Sequence, residues 1–133
     1  MPLRSERRFI ALNDVKPGMM IQINYTKKSG DSGNYIVLVV DPNRTNERAT
    51  EPQLHGFVID ELTDSQLIEF FAAFGKSINI DYEDRRASVI EGLNTDEAYD
   101  AFSTSKYVQN RSYRTFNLSG ISQVRQILIG SID

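Results

Sequence analysis

The chain has 133 residues, a net charge of −3, 40% hydrophobic and 25% charged residues, and no cysteine. This length suits one domain that buries roughly two-thirds of its unfolded surface. The missing cysteine excludes disulfides, thiolate catalysis and cysteine-ligated zinc, and the mild acidity argues against a general polyanion binder while leaving room for a local basic face.

In chain order, Arg4, Arg7 and Arg8, opposed only by Glu6, make a basic arm. It reads as a solvated tail, or as a segment that docks on an acidic partner or a phosphate backbone. In the second case the arm is expected to be mobile in an isolated chain and ordered against a partner, such as the acidic surface near Asp96, Glu97 and Asp100 of another copy. No apolar run of the length of a signal peptide core or membrane span follows it. Phe9-Ile10-Ala11-Leu12 fits a short strand. Pro17 and Gly18 fit the central positions of a type II turn, because proline presets φ and glycine accepts φ > 0.

Met19, Ile21, Ile23 and Tyr25 alternate with Met20, Gln22, Asn24 and Thr26, the period of a half-buried strand. Lys27 to Gly33 is a polar loop, so this strand and the next make a hairpin with a long tip. Tyr35-Ile36-Val37-Leu38-Val39-Val40 is apolar without interruption, which predicts a central strand buried on both faces and closed by the turn Asp41-Pro42-Asn43. Residues 41–53 read as a surface loop carrying Arg44 and Arg48. Leu54 to Asp60 reads as a third strand, in which Gly56 marks a bulge or a close backbone approach. These strands leave no room for helical crossovers, so the sheet is antiparallel.

Thr63-Asp64-Ser65-Gln66 is a capping box. It opens a predicted helix with Leu67, Phe70, Phe71 and Phe74 as an inward stripe and Gly75 as its stop. Residues 76–111 form a polar helical excursion: a short strand at 77–82, a helix from Asp84 to Leu93, and another starting at Thr95-Asp96-Glu97 with Ala98, Tyr99 and Phe102 inside. Ser112 to Leu118 alternates as a half-buried strand, Ser119-Gly120 turns it, and Ile121 to Ile129 reads as a short turn followed by a strand. The expected fold is mainly β, a small, partly open antiparallel barrel of about five strands with one capped amphipathic helix and a mixed α insertion. It spans 1–133 as one domain: arm and first strand to 15, barrel core plus helix over 16–75, excursion over 76–111, closing strands over 112–133.

Residues with chemistry are sparse. His55 is the only histidine, and without a second ligand or acid–base partner it reads as structural or interfacial. Asp41, Asp60 and Asp81 each end a predicted strand, where carboxylates converging on magnesium would make a nuclease; each also has an ordinary turn role. The loop from Asp41 fails as a calcium loop, because Asn46 and Pro52 stand where glycine and glutamate are required. No catalytic residue, cofactor or metal is expected. The candidate partner or nucleic-acid contacts are Arg4, Arg7, Arg8, Lys27, Lys28, Arg44, Arg48 and Arg114, with Tyr25, Tyr35, Tyr113 and Phe116 as possible stacking faces.

Tyr35 to Asn43, followed by Leu54-His55-Gly56-Phe57-Val58-Ile59-Asp60-Glu61-Leu62 and later Tyr113-Arg114-Thr115-Phe116, resembles small barrel proteins of the Src-homology-3 kind encoded by large tailed bacteriophages. The resemblance covers roughly residues 16–75 and 112–120. It implies a virion or a bacterial host cytoplasm as the location. The expected function is then a non-enzymatic phage structural or assembly protein, an oligomeric module whose partners are copies of itself or neighbouring subunits, with no membrane. The alternatives are a nucleic-acid-binding barrel using the loops at Lys27–Gly33 and Arg44–Arg48, and, more weakly, a metal-dependent nuclease.

Overall fold

The computed structural model describes residues 3–45, 51–59, 63, 65–66, 94–104 and 112–131. They form six strands, β1 (Leu3–Phe9), β2 (Met20–Thr26), β3 (Ser32–Arg44), β4 (Gln53–Val58), β5 (Tyr113–Asn117) and β6 (Ile121–Ser131), and a helix α1 (Thr95–Ser103) between β4 and β5. One sheet holds all six in the order β1-β6-β2-β3-β4-β5, and every adjacent pair is antiparallel. The mainly β, antiparallel expectation holds. The sheet does not close into a barrel, and β1, the strand added to the five expected, is the segment expected to be a loose arm.

The central strand is covered on both faces, as its unbroken apolar run requires. Val37 and Val39 point into a cluster with Val15, Met19, Ile21, Ile23, Leu54, Phe116 and Val124. Leu38 and Val40, of opposite parity, are equally buried, as are Met20 and Phe57, which pair directly with Leu38 in the ladders on either side. α1 packs over β3 and buries Ala98 and Phe102. Each such apolar side chain contributes about 1.5–3 kcal/mol when fully buried.

The helix starts where the sequence places it. The Asn94 side chain accepts from the Glu97 amide at 2.9 Å, and Asp96 and Glu97 in the first turn favour the positive end of the helix dipole. Tyr99, expected inside, is 44% exposed, although its ring still meets Phe57 and Tyr113. The capping box also forms. The Gln66 amide donates to Thr63 Oγ1 at 3.2 Å, and the Thr63 amide donates to Gln66 Oε1 at 2.9 Å. The aromatic stripe at 67–74, Gly75 and the elements expected at 77–93 lie outside the described residues.

Two glycines act as the sequence predicts. Gly18 has φ +93°, and the Met19 amide donates to the Lys16 carbonyl at 3.2 Å, the closing bond of the turn. At Gly56 a Cβ would stand 2.5 Å from both the Leu38 carbonyl oxygen and Val37 Cγ1. Only glycine lets β4 lie this close to β3.

Two boundaries differ from the sequence reading. β3 does not stop at Asp41-Pro42-Asn43 but runs on to Arg44, through register shifts after Val39 and after Asp41. A bulge tolerates proline because it leaves the ladder donor unneeded there, and the Asn43 amide donates to Asp41 Oδ1 at 3.1 Å. The N-terminal arm is β1, paired from Leu3 opposite Ser131 to Phe9 opposite Arg125. β6 presents a row of backbone donors and acceptors beyond its ladder with β2, and β1 satisfies them. The arm therefore orders on its own chain and needs no partner to do so. Beyond it, Leu12–Asp14 form a 3-10 turn in place of the strand expected at 9–12.

The sheet curls without closing. β5 and β6 are joined by a single 3-10 turn, Leu118–Gly120, yet form no ladder with each other. Contacts from β2 span the gap: the Asn117 amide donates to Tyr25 Oη at 3.2 Å, and the Tyr25 and Phe116 rings meet edge to face at 5.0 Å.

Candidate functional site

The basic candidates fall into separate places. Arg7 and Arg8 are exposed on β1, opposite Ile127 and Gln126 of β6, and Arg4 holds the register position opposite Gly130. Beside them Phe9 is 68% exposed, and the Arg125 guanidinium sits 4.6 Å from its ring centre, a cation–π contact that covers part of an otherwise wet aromatic. Arg125 was not a candidate from sequence. Its pairing with Phe9 depends on the β1–β6 register, which no local pattern encodes.

Lys27 and Lys28 are exposed at the β2–β3 tip. The tip is held by the Lys27 amide donating to the Asp31 carbonyl at 2.8 Å and by the Gly30 amide donating to the Lys27 carbonyl at 2.9 Å. Both lysines line an open groove of about 330 Å³ with Tyr25, Asn117, Ser119 and Glu51. Ser119 Oγ donates to Glu51 Oε1 at 2.8 Å, so a carboxylate lies inside the groove that these two lysines line. Neither Arg44 nor Arg114 lines this groove. Residues 46–50 of the second loop, Arg48 among them, lie outside the described residues.

Arg114 projects from β5 over the Tyr35 ring, 5.9 Å from its centre. Tyr35 in turn meets Phe116 at 5.4 Å. Two of the rings considered as stacking faces are thereby committed to the protein: Phe116 is buried, and Tyr25 packs on it.

Arg44 turns to a third place, around His55. The histidine is 9% exposed and sits opposite Asp41 on β3 and Thr115 on β5. Its Nδ1 lies 3.1 Å from Tyr113 Oη. Its Nε2 is buried and, among the described residues, has no hydrogen-bond partner, so either tautomer of the neutral ring leaves that nitrogen unsatisfied there. Burial holds its pKa below the ordinary value of 6.5; the positive charge of Arg44 lowers it further, and Asp41 opposes both. Burial likewise raises the Tyr113 hydroxyl above its usual value of 10.0. Tyr113 also packs edge to face on Phe57 at 5.1 Å, which makes this a polar pin set in an aromatic cluster.

Of the three aspartates considered for a metal, Asp41 serves this cluster and the β3 bulge, while Asp60 and Asp81 lie outside the described residues. Among those described, no three His, Cys, Asp or Glu side chains gather to hold an ion. No helix there is long and apolar enough to cross a membrane.

The last feature is an edge. β1 is hydrogen-bonded to β6 along one side, and among the described residues no strand pairs with its other side. Compared with the models of known protein families, with curated proteins and with solved structures, the chain finds no match.

Proposed function

We propose that the chain is a non-enzymatic assembly protein that acts through contacts with other protein subunits, and that β1 is where those contacts are made. The observation that supports this is the outer edge of β1, on which no strand lies among the described residues. A seven-residue strand offers a row of backbone donors and acceptors on the side away from β6, which is the template for strand addition. The resemblance to tailed-phage barrel proteins extends the proposal to a virion, or to an assembly complex in the host cytoplasm.

A second reading, a nucleic-acid surface, rests on the groove under Lys27 and Lys28. Glu51 inside that groove and the net charge of −3 weigh against a polyanion. Static light scattering of the purified chain, alone and with single-stranded and duplex DNA, separates the two. The assembly reading expects a defined oligomer whose mass DNA does not change. A monomer that grows only when DNA is added would overturn it in favour of the second.

A further inference from the structure

We infer that a second copy of this chain docks head to tail, its helix α1 seated on the Phe9 and Arg125 side chains of the first. This rests on the assembly reading and names its partner. The two large hydrophobic side chains most open to water among the described residues are Phe9, 68% exposed, and Tyr99, 44% exposed. One stands beside a guanidinium and the other among carboxylates, so each has what the other lacks.

Phe9, Arg125 and Gln22 lie directly opposite one another on β1, β6 and β2, and opposed residues of a ladder point to the same face. Arg125 therefore has a choice of neighbours. Gln22 Oε1 is buried and finds no donor among the described residues. The guanidinium nevertheless lies 4.6 Å from the centre of the Phe9 ring, at the outer end of the row. Stacking holds it there, so less rotamer freedom is left to lose when a carboxylate binds it. Arg7 and Arg8 already make interactions of their own, so the contact falls to Arg125. It leaves the edge of β1 untouched. The Ile10 amide donates to the Val124 carbonyl at 3.1 Å, and alternation along the strand then turns the Ser5 amide away from β6, in the plane of the sheet.

On α1, Asp96, Glu97, Tyr99 and Asp100 are exposed. Asp96, Tyr99 and Asp100 stand three and four residues apart and so form one stripe, flanking the buried Ala98 and Phe102. Like charges at the Asp96–Asp100 spacing repel. The last turn carries no basic residue, so no cation of the helix itself offsets Asp100 or the negative end of the helix dipole. A guanidinium from outside relieves both. Arg125 set between the two aspartates supplies it, with the fork geometry that a carboxylate accepts, while the Phe9 ring covers the open part of Tyr99. Tyrosine and arginine are the side chains on which protein contacts most often depend. The two halves are different surfaces, so each copy receives a neighbour on one and offers the other, which builds a ring or a row.

The test is sedimentation velocity over a concentration series, with thermal unfolding confirming that each variant folds. Phe9→Ser disables one half of the contact, and Asp96→Asn together with Asp100→Asn disables the other, all at exposed positions. The wild type is expected to associate, and either variant alone to associate about tenfold more weakly or worse. Mixed in equal amounts, the two variants restore a single good contact, Phe9 and Arg125 of one on α1 of the other. They should form two-chain particles that grow no further. Variants that associate as the wild type does, or a mixture no stronger than its components, overturn this contact and leave the assembly reading standing. A wild type that remains monomeric throughout overturns both.

Discussion

β3 and β1 are both strands of one sheet, and they are specified in different ways. From Ile36 to Val40 every side chain of β3 is buried, and both edges of the strand are paired. Its apolar run alone forces strands beside it and layers above and below. β1 has a charged sequence, exposed residues at Arg7, Arg8 and Phe9, and, among the described residues, a ladder on one side only. Burial therefore decides where β3 lies, whereas β1 is placed by backbone pairing with β6. The difference teaches that change at the first is a matter of stability, and change at the second a matter of association.

The largest effect should come from the core. Phe116→Ala removes a ring that is 3% exposed and in contact with Tyr25 and Tyr35. A loss of about 3–5 kcal/mol is expected from urea unfolding, because transfer energy and a cavity both count. Gly56→Ala should follow, at about 1–3 kcal/mol, since its Cβ collides with backbone that cannot give way locally. Either variant falling within about 0.5 kcal/mol of wild type would break the burial side of the comparison.

The pin at His55 gives a smaller, pH-dependent effect. Its folded pKa lies below the unfolded value of 6.5, so below pH 6.5 the unfolded chain binds the proton more readily. The stability that His55 contributes is thus complete above pH 6.5 and is lost as pH falls toward the lowered folded value. The urea midpoint should drop less between pH 7.5 and pH 5 in His55→Gln than in wild type. Equal drops in the two proteins would remove His55 from the account.

The smallest effect on stability should come from Ser5→Pro. The Ser5 amide turns away from β6, and proline is tolerated where an edge residue donates to nothing in its own sheet. Unfolding should shift by no more than about 1 kcal/mol, while association through the edge of β1 is lost. A large loss of stability would show that Ser5 bonds inward and that the alternation along β1 is misassigned.

How much of this was legible in the sequence follows the same division. The period-two pattern of Ile21 and Ile23, the apolar run at 35–40, the glycines at 18 and 56 and the capping box at Thr63 are local signals with local causes, and each matches the structure. β1 was not legible, because Arg4, Arg7 and Arg8 have no strand pattern of their own. Their conformation comes from β6, more than a hundred residues later in the chain. The continuation of β3 through Pro42 was hidden for a related reason: a proline reads as a turn until the register shift that accommodates it is known. At the candidate sites, the lysines of the hairpin tip were visible, but Glu51 beside them was not. His55 was visible only as a lone histidine, and its partner Tyr113 was seen only as a stacking face.

Residue-resolved amide exchange along β1, measured at low and high protein concentration, tests the central claim most directly. At concentrations where the chain is monomeric, the amides of Glu6 and Arg8 should be protected by β6, while that of Ser5 exchanges faster. On association through β1 the Ser5 amide should become protected too. If it exchanges equally fast at both concentrations while the chain associates, β1 is not the surface through which it assembles.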